Sequence, residues 1–238
     1  MRKFFITGVS SGLGLELMKQ LVDRGDFVYG VSRNNIPEDN FLKTSKDKWV
    51  WFSCDITKDC DIQRSIEHQK SINFIPDIVI LNAGVHSKDE RVAFGEFEAG
   101  TYKKLFRVNC FGALKWVNFF LKTFKKRDKG HFVYISSLAV FYPFPLRVNY
   151  SATKSYTSIV FECLRERYCA TRLSFSVFYP GRIDTEGSAP NPVPRFLKFP
   201  VFKAAKKILE TLPNANQSIR FPFSAILQQR LMALVPKQ

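Results

Sequence analysis

The stretch Thr7-Gly8-Val9-Ser10-Ser11-Gly12-Leu13-Gly14 decides how this chain is read. Residues 3–9 leading into it suit a buried strand, and residues 13–24 carry apolar side chains at helical spacing. Glycines between a strand and a helix let the backbone turn tightly and come close to a ligand. The turn also aims the first amides of the helix outward, where their partial positive charge suits a pyrophosphate. Glycine-rich turns occur in purely structural loops as well, so the rest of the chain must say which kind this is.

Further along, strands are expected at residues 27–32, 49–56, 77–83, 131–136 and 173–179, and helices at 59–70, 101–124 and 150–170. The run at 77–83 is almost continuously apolar, as a strand covered on both faces requires. The basic run Lys125-Lys126-Arg127 suits the end of the long helix before it, where cations meet free carbonyls. Strands that alternate with helices in this way predict a doubly wound parallel sheet, an α/β/α sandwich in one domain spanning 1–238. Residues 184–212 read as a lid region, with four prolines (Pro190, Pro192, Pro194 and Pro200) and a short helix at 202–212. Residues 219–238 read as an apolar tail with Leu227, Leu231, Leu234 and Val235 at helical spacing.

Composition narrows the function classes. At 238 residues, with 45% hydrophobic and 24% charged, the chain is of ordinary globular make-up, and its 24 phenylalanines predict an aromatic core. Five cysteines without a C-x-x-C pair argue for reduced thiols rather than a disulfide framework or a zinc site. His68, His86 and His131 lie too far apart in sequence to suggest a metal site, and none is expected. No run approaches 18 apolar residues, so no membrane span is expected, and Met1-Arg2-Lys3 enters the first strand without a signal peptide. The expected location is the cytoplasm. The formal charge of +15 fits an acidic ligand or partner, nucleic acid, a membrane surface, or lysines scattered over a solvated surface. No basic-aromatic motif supports nucleic acid, which is not expected as a partner.

The spacing T-G-x-x-x-G-x-G resembles the short-chain dehydrogenase/reductase family, and later stations agree. Asn82-Ala83-Gly84 follows the fourth strand, where that family has N-A-G. Asn109 lies in the long helix, where the family places a catalytic asparagine. Ser137 ends the fifth strand, thirteen residues before Tyr150 of the Y-x-x-x-K motif Tyr150-Ser151-Ala152-Thr153-Lys154. Pro180-Gly181 with Thr185 matches P-G-x-x-x-T after the sixth strand. Each piece alone is common; together, in order and on the right elements, they cover residues 3–185.

The resemblance implies a Rossmann fold and an oxidoreductase that moves a hydride between nicotinamide and a carbonyl or alcohol carbon. Tyr150 and Lys154 are four apart on a helix and share a face. A phenol titrates at about pH 10, and a nearby cation favours its ionised form. Tyr150 is then the expected acid for carbonyl reduction or base for alcohol oxidation. Also by resemblance, Lys154 holds the nicotinamide ribose, Ser137 binds the substrate oxygen, and Asn109 holds a water that relays protons to Lys154. Thr7, Gly8, Ser10, Ser11, Gly12, Leu13, Gly14, Asn82, Ala83, Gly84, Pro180, Gly181, Ile183 and Thr185 are expected around the cofactor, with Asp55-Ile56 at the adenine.

The second strand ends in Ser32-Arg33-Asn34, without the carboxylate that NAD-binding relatives use on the ribose hydroxyls. An arginine fork suits a 2′-phosphate, so NADP(H) is favoured over NAD(H). Phe141, Tyr142 and Phe144 either line a pocket for an apolar or aromatic substrate or simply pack their loop. Arg182, Arg195 and Lys198 are candidates for an anionic group such as a carboxylate or a thioester carrier, and a 3-oxoacyl thioester reductase is one version of the enzyme reading. The alternative class is an NADP(H)-binding regulator or redox sensor with little turnover.

The C-terminus departs from the family's pattern. The tail is expected to form an apolar helix in place of the usual last strand, and to pack on the domain, pair with another subunit or rest on a membrane surface. A homodimer or homotetramer is expected, because the helix with Phe106, Phe111, Trp116, Phe119, Phe120 and Phe124 has more large apolar side chains than one face needs.

Overall fold

A computed structural model describes residues 1–37, 40–86, 99–142, 147–185, 198–214 and 216–227. Seven parallel strands form its main sheet: β1 (Lys3–Thr7), β2 (Phe27–Ser32), β3 (Trp49–Ser53), β4 (Ile78–Leu81), β5 (Gly130–Ile135), β6 (Leu173–Pro180) and β9 (Ser218–Phe221). Their spatial order is β3-β2-β1-β4-β5-β6-β9. The chain first winds outward from β1 to β3, then crosses back to β4 beside β1. That reversal opens a crevice at the carboxyl ends of β1 and β4, where such sheets take their ligands. A short parallel pair, β7 (Ile183–Asp184) with β8 (Phe199–Pro200), stands apart from the main sheet.

Helices cover both faces, and the strands alternate between them. Phe4 and Ile6 of β1 pack toward α1 (Gly12–Asp23) and α7 (Val201–Thr211), together with Leu17, Leu21, Ala204 and Ile208. Phe5 points to the other face, which is largely aromatic. Its ring lies 4.5 Å from that of Trp116 and 4.9 Å from that of Phe120, both on α5 (Ala113–Lys126). Phe124, Phe132 and Phe175 continue the stack at 4.8 and 5.3 Å. A side chain at Gly130 would overlap the Phe124 ring, so the start of β5 must be bare there. Much of the phenylalanine excess thus fills one side of the sheet, with α3 (Asp59–Ser71) and α6 (Val148–Arg167) completing the layer.

Three elements differ from the sequence reading. The seventh strand is present: Ser218–Phe221 pairs with Val177–Pro180 of β6, and the apolar helix follows it instead of replacing it. Its signal was the alternation of Ile219 and Phe221, turned inward, with exposed Ser218 and Arg220. The helix is described from Phe223 to Leu227, with Leu231, Leu234 and Val235 outside the described residues. The long helix expected at 101–124 runs from Ala99 to Lys126 as α4 (Ala99–Phe106), a π-helical stretch (Arg107–Gly112) and α5. A short helix, α2 (Asn40–Thr44), was not foreseen. Among the described residues no helix is long and apolar enough to cross a membrane.

His131 on β5 contacts the Ser176 hydroxyl on β6 at 2.7 Å, and burial lowers its pKa to about 4. The unfolded chain therefore binds a proton near pH 6.5 that the folded chain refuses until about pH 4. The neutral imidazole's contribution is present above pH 6.5 and lost as the pH falls toward 4, up to about 3 kcal/mol. Urea denaturation across that window should show stability falling with acidity, and His131→Gln should flatten the slope by close to one proton.

Candidate functional site

At the mouth of the crevice the glycine turn is fixed by β4. The Thr7 hydroxyl accepts hydrogen bonds from the amides of Asn82 (3.1 Å) and Ala83 (3.0 Å). The Asn82 side-chain amide donates back to the carbonyls of Thr7 and Gly8, each at 3.1 Å. Gly8 and Gly12 take positive φ of 77° and 55°, where a side chain would be strained. A side chain at Gly14 would overlap the Gly8 carbonyl, so α1 can start this close to β1 only with glycine there. Ser11 stands at the N-cap of α1 without a side-chain cap bond, and the first turn holds no acid. Its amides thus face outward with their positive end uncompensated, as an anion requires. Thr185 closes the turn from the far side: a Cβ on Gly12 would stand 3.2 Å from its methyl.

Behind the turn lies a buried polar cluster. Lys154 is 3% exposed, and its ammonium donates to the Ile135 carbonyl at 2.7 Å. Burial brings its pKa down to about 8. Asn109, fully buried on the π-helical stretch, accepts from the Val85 amide at 2.8 Å through Oδ1. Its Nδ2 donates to the Val85 carbonyl (2.9 Å) and to the Thr153 hydroxyl (3.0 Å). Thr153 in turn donates to the Tyr150 carbonyl at 2.8 Å. The π-helical widening is the local irregularity that often marks a working site in a helix.

Gly84 bears on two of these groups at once. A Cβ built on it would stand 3.1 Å from Lys154 Nζ and 3.4 Å from Asn109 Oδ1. A side chain there would crowd both groups, so glycine at the end of β4 lets the backbone lie directly against the lysine and the asparagine. Tyr150 lies one turn before Lys154, partly exposed, with its ring edge-on to His86 at 6.4 Å. Ser137 caps the short turn Leu138–Val140, its hydroxyl accepting from the Ala139 amide at 3.1 Å.

Other expected residues sort differently. The Ser32 hydroxyl is committed inside the protein, donating to the Asn34 carbonyl and accepting from the Trp51 indole, both at 2.8 Å. It shapes the end of β2 instead of offering itself to a ligand. Arg33 is exposed and meets no carboxylate among the described residues. One Asp55 oxygen is taken by the amide and hydroxyl of Thr57, while Ile56 packs against Gly112. Gly181 is required by packing, since a Cβ there would stand 2.8 Å from Ala225 of the C-terminal helix. Phe141 sits between Tyr179 (4.7 Å between rings) and the Arg220 guanidinium, 3.6 Å from its ring centre. Phe141 is nonetheless 41% exposed. Phe144 and Arg195 lie outside the described residues. Lys198, considered for an anionic substrate group, pairs with Asp184 at 3.4 Å.

Thr153, Val85 and Tyr134 belong to the cluster and were missed. Thr153 lay inside the quoted motif as an unread position. Val85 contributes only backbone, and Tyr134 looked like one more aromatic in a strand.

The short chain dehydrogenase family model matches residues 2–192. An uncharacterized oxidoreductase of Myxococcus xanthus is 26% identical over 242 residues, 99% of this chain and 93% of the relative. The ketoacyl reductase HetN of Nostoc is 25% identical over 226 residues, 89% and 78% of the two chains. Among solved structures, a short chain dehydrogenase from Burkholderia cenocepacia in complex with NADP superposes with a TM-score of 0.79 at 24% identity, covering 98% of this chain and 93% of that one. A 3-ketoacyl-(acyl-carrier-protein) reductase from Brucella melitensis complexed with NADH gives 0.82 at 19% identity, with 92% and 96% covered. With a family match over four-fifths of its length and a sheet wound in the family's manner, the chain belongs to the short chain dehydrogenases, a family of oxidoreductases.

Proposed function

We propose that this protein is an NADPH-dependent reductase or dehydrogenase that interconverts a carbonyl and an alcohol on a small, largely apolar substrate. The observation that carries the reading is the buried Lys154 ammonium, one turn after Tyr150 on α6 and packed with Asn109 against the bare backbone of Gly84. The residues fit a dinucleotide. The uncapped start of α1 and the bare glycine turn suit its pyrophosphate. Lys154 suits the nicotinamide ribose, and exposed Arg33 at the end of β2 suits a 2′-phosphate. When bound, the cofactor supplies or accepts the hydride.

In the reduction direction the carbonyl carbon gains the hydride and its oxygen gains the Tyr150 phenol proton, yielding the alcohol. The Lys154 cation, four residues on, favours the phenolate that remains. Ser137 holds the substrate oxygen. Asn109 acts here as a clamp: its side chain is spent on Val85 and Thr153, and it fixes the β4 loop and α6 in relation to each other. The 3-oxoacyl thioesters are one substrate class, supported by the ketoacyl reductase among the relatives. The five cysteines, an odd number without a C-x-x-C pair, suit a reducing compartment such as the cytoplasm.

We further propose a homodimer. Trp116, Phe120 and Phe124 are inside the core, so the apolar surplus of the long helix narrows to Phe111, which is 51% exposed. Tyr156 (45%) and Ile159 (58%) of α6 are exposed too, and Phe106 links Phe111 and Tyr156 at ring distances of 6.5 and 6.0 Å. Light scattering should give about twice the 27.5 kDa chain mass, and Ile159→Asp should give monomer. A wild-type monomer at tens of micromolar sinks this part.

Against a panel of ketones, aldehydes, quinones and 3-oxoacyl thioesters, the protein should consume NADPH faster than NADH. Tyr150→Phe should lower the rate on any accepted substrate by about 10²–10⁴-fold with NADPH affinity little changed. Tight NADPH binding without turnover would favour a regulator, and binding of neither cofactor would overturn the reading. Arg33→Ala should weaken NADPH binding by about 10–100-fold, the loss of one charge-assisted contact, and leave NADH nearly untouched. Equal loss for both cofactors would remove the assignment of Arg33 to the 2′-phosphate.

A further inference from the structure

We infer that Tyr134 is a positioning residue for the proton-transfer pair, its ring face holding the Lys154 ammonium in place and in charge one turn from Tyr150. This rests on the reading of the site above. Tyr134 is fully buried on β5, just before Ile135, whose carbonyl accepts from Lys154. The Lys154 nitrogen stands 4.9 Å from the centre of the Tyr134 ring. The ammonium therefore has one hydrogen bond on one side and an aromatic face on another, an arrangement that attracts a desolvated cation.

What surrounds Lys154 explains why the ring matters. The Cys110 thiol approaches from the π-helical stretch, Asn109 Oδ1 and Gly84 lie above, and Tyr150 is one turn back on α6. No carboxylate contacts Lys154 among the described residues, so no ion pair offsets the cost of burying its charge. A quadrupole face is the compensation that remains, and it favours the ammonium over the neutral amine. It also fixes where the nitrogen sits, since moving off the ring would forfeit both the face and the Ile135 bond.

The phenol oxygen has a lesser part. It reaches the Asn109 carbonyl only at 3.5 Å, and the Thr157 hydroxyl already donates to that carbonyl at 3.2 Å. The ring therefore does the positioning, and phenylalanine should replace tyrosine here where an aliphatic residue should not.

The test follows the titration of Lys154 by NMR in protein labelled at lysine Cε, the signal assigned by its loss in Lys154→Met. This reads the lysine whether or not a substrate has been found, so it stands apart from the failure of the enzyme reading. Tyr134→Phe should leave the midpoint within about 0.3 units, and Tyr134→Leu should lower it by about one unit. Where Leu disturbs folding, successively fluorinated phenylalanines at 134 keep the size and drain the ring face, and the midpoint should fall with each fluorine. In any substrate assay the alkaline limb of the rate profile should move with the same midpoint. A Leu variant or a fluorine series with an unmoved Lys154 midpoint would show that Tyr134 only fills space. An equal fall in the Phe variant would place the effect on the hydroxyl; either result overturns the inference.

Discussion

A lysine ammonium kept dry in the middle of an α/β fold is the constraint around which the rest of this structure is arranged. Lys154 must satisfy its charge with the Ile135 carbonyl and the Tyr134 ring, and both come from one strand. β5 must therefore sit directly against α6, which in turn must lie beside the π-helical stretch that presents Asn109. That asparagine spends its whole side chain joining the β4 loop to Thr153, so the loop ending at Gly84 cannot drift from the lysine beneath it. The result is a small polar cluster packed under the bare backbone of Gly84, where a parallel sheet reverses its winding.

The two halves of the crevice are held by different means. At the phosphate end, glycines set the geometry by what they lack: a Cβ on Gly14 would strike the Gly8 carbonyl, and Thr7 with Asn82 ties β1 to β4 through four hydrogen bonds. At the chemical end, packed side chains set it, with Tyr134 joined to Phe161 and the rest of the aromatic layer. The aromatic layer thus supports the site as well as the core.

Much of this was legible in the sequence. Strand and helix alternation predicted the winding, and the six motif pieces placed Lys154, Asn109, Gly84 and the glycine turn, because each depends on spacing along one element. What was not legible depends on contacts between elements. Nothing along the chain says that Trp51 takes the Ser32 hydroxyl, or that Phe141 lies against Tyr179 and Arg220. Tyr134 carries no motif at all; only the lysine above it gives it meaning. The last strand was overlooked for a local reason. Four residues are too few for alternation to stand out beside the apolar tail that follows them.

The claim that matters most is that the backbone at Gly84, packed against Lys154 and Asn109, borders the cofactor's place. Gly84 has no positive φ, so a valine there meets no backbone strain, and its side chain would press on Lys154 and Asn109. Calorimetric titration of the wild type and Gly84→Val with NADPH, with circular dichroism to check the fold, addresses the claim directly. The account predicts that the wild type binds and that the folded variant loses at least about 100-fold in affinity. A folded Gly84→Val protein that binds NADPH as tightly as the wild type would contradict it.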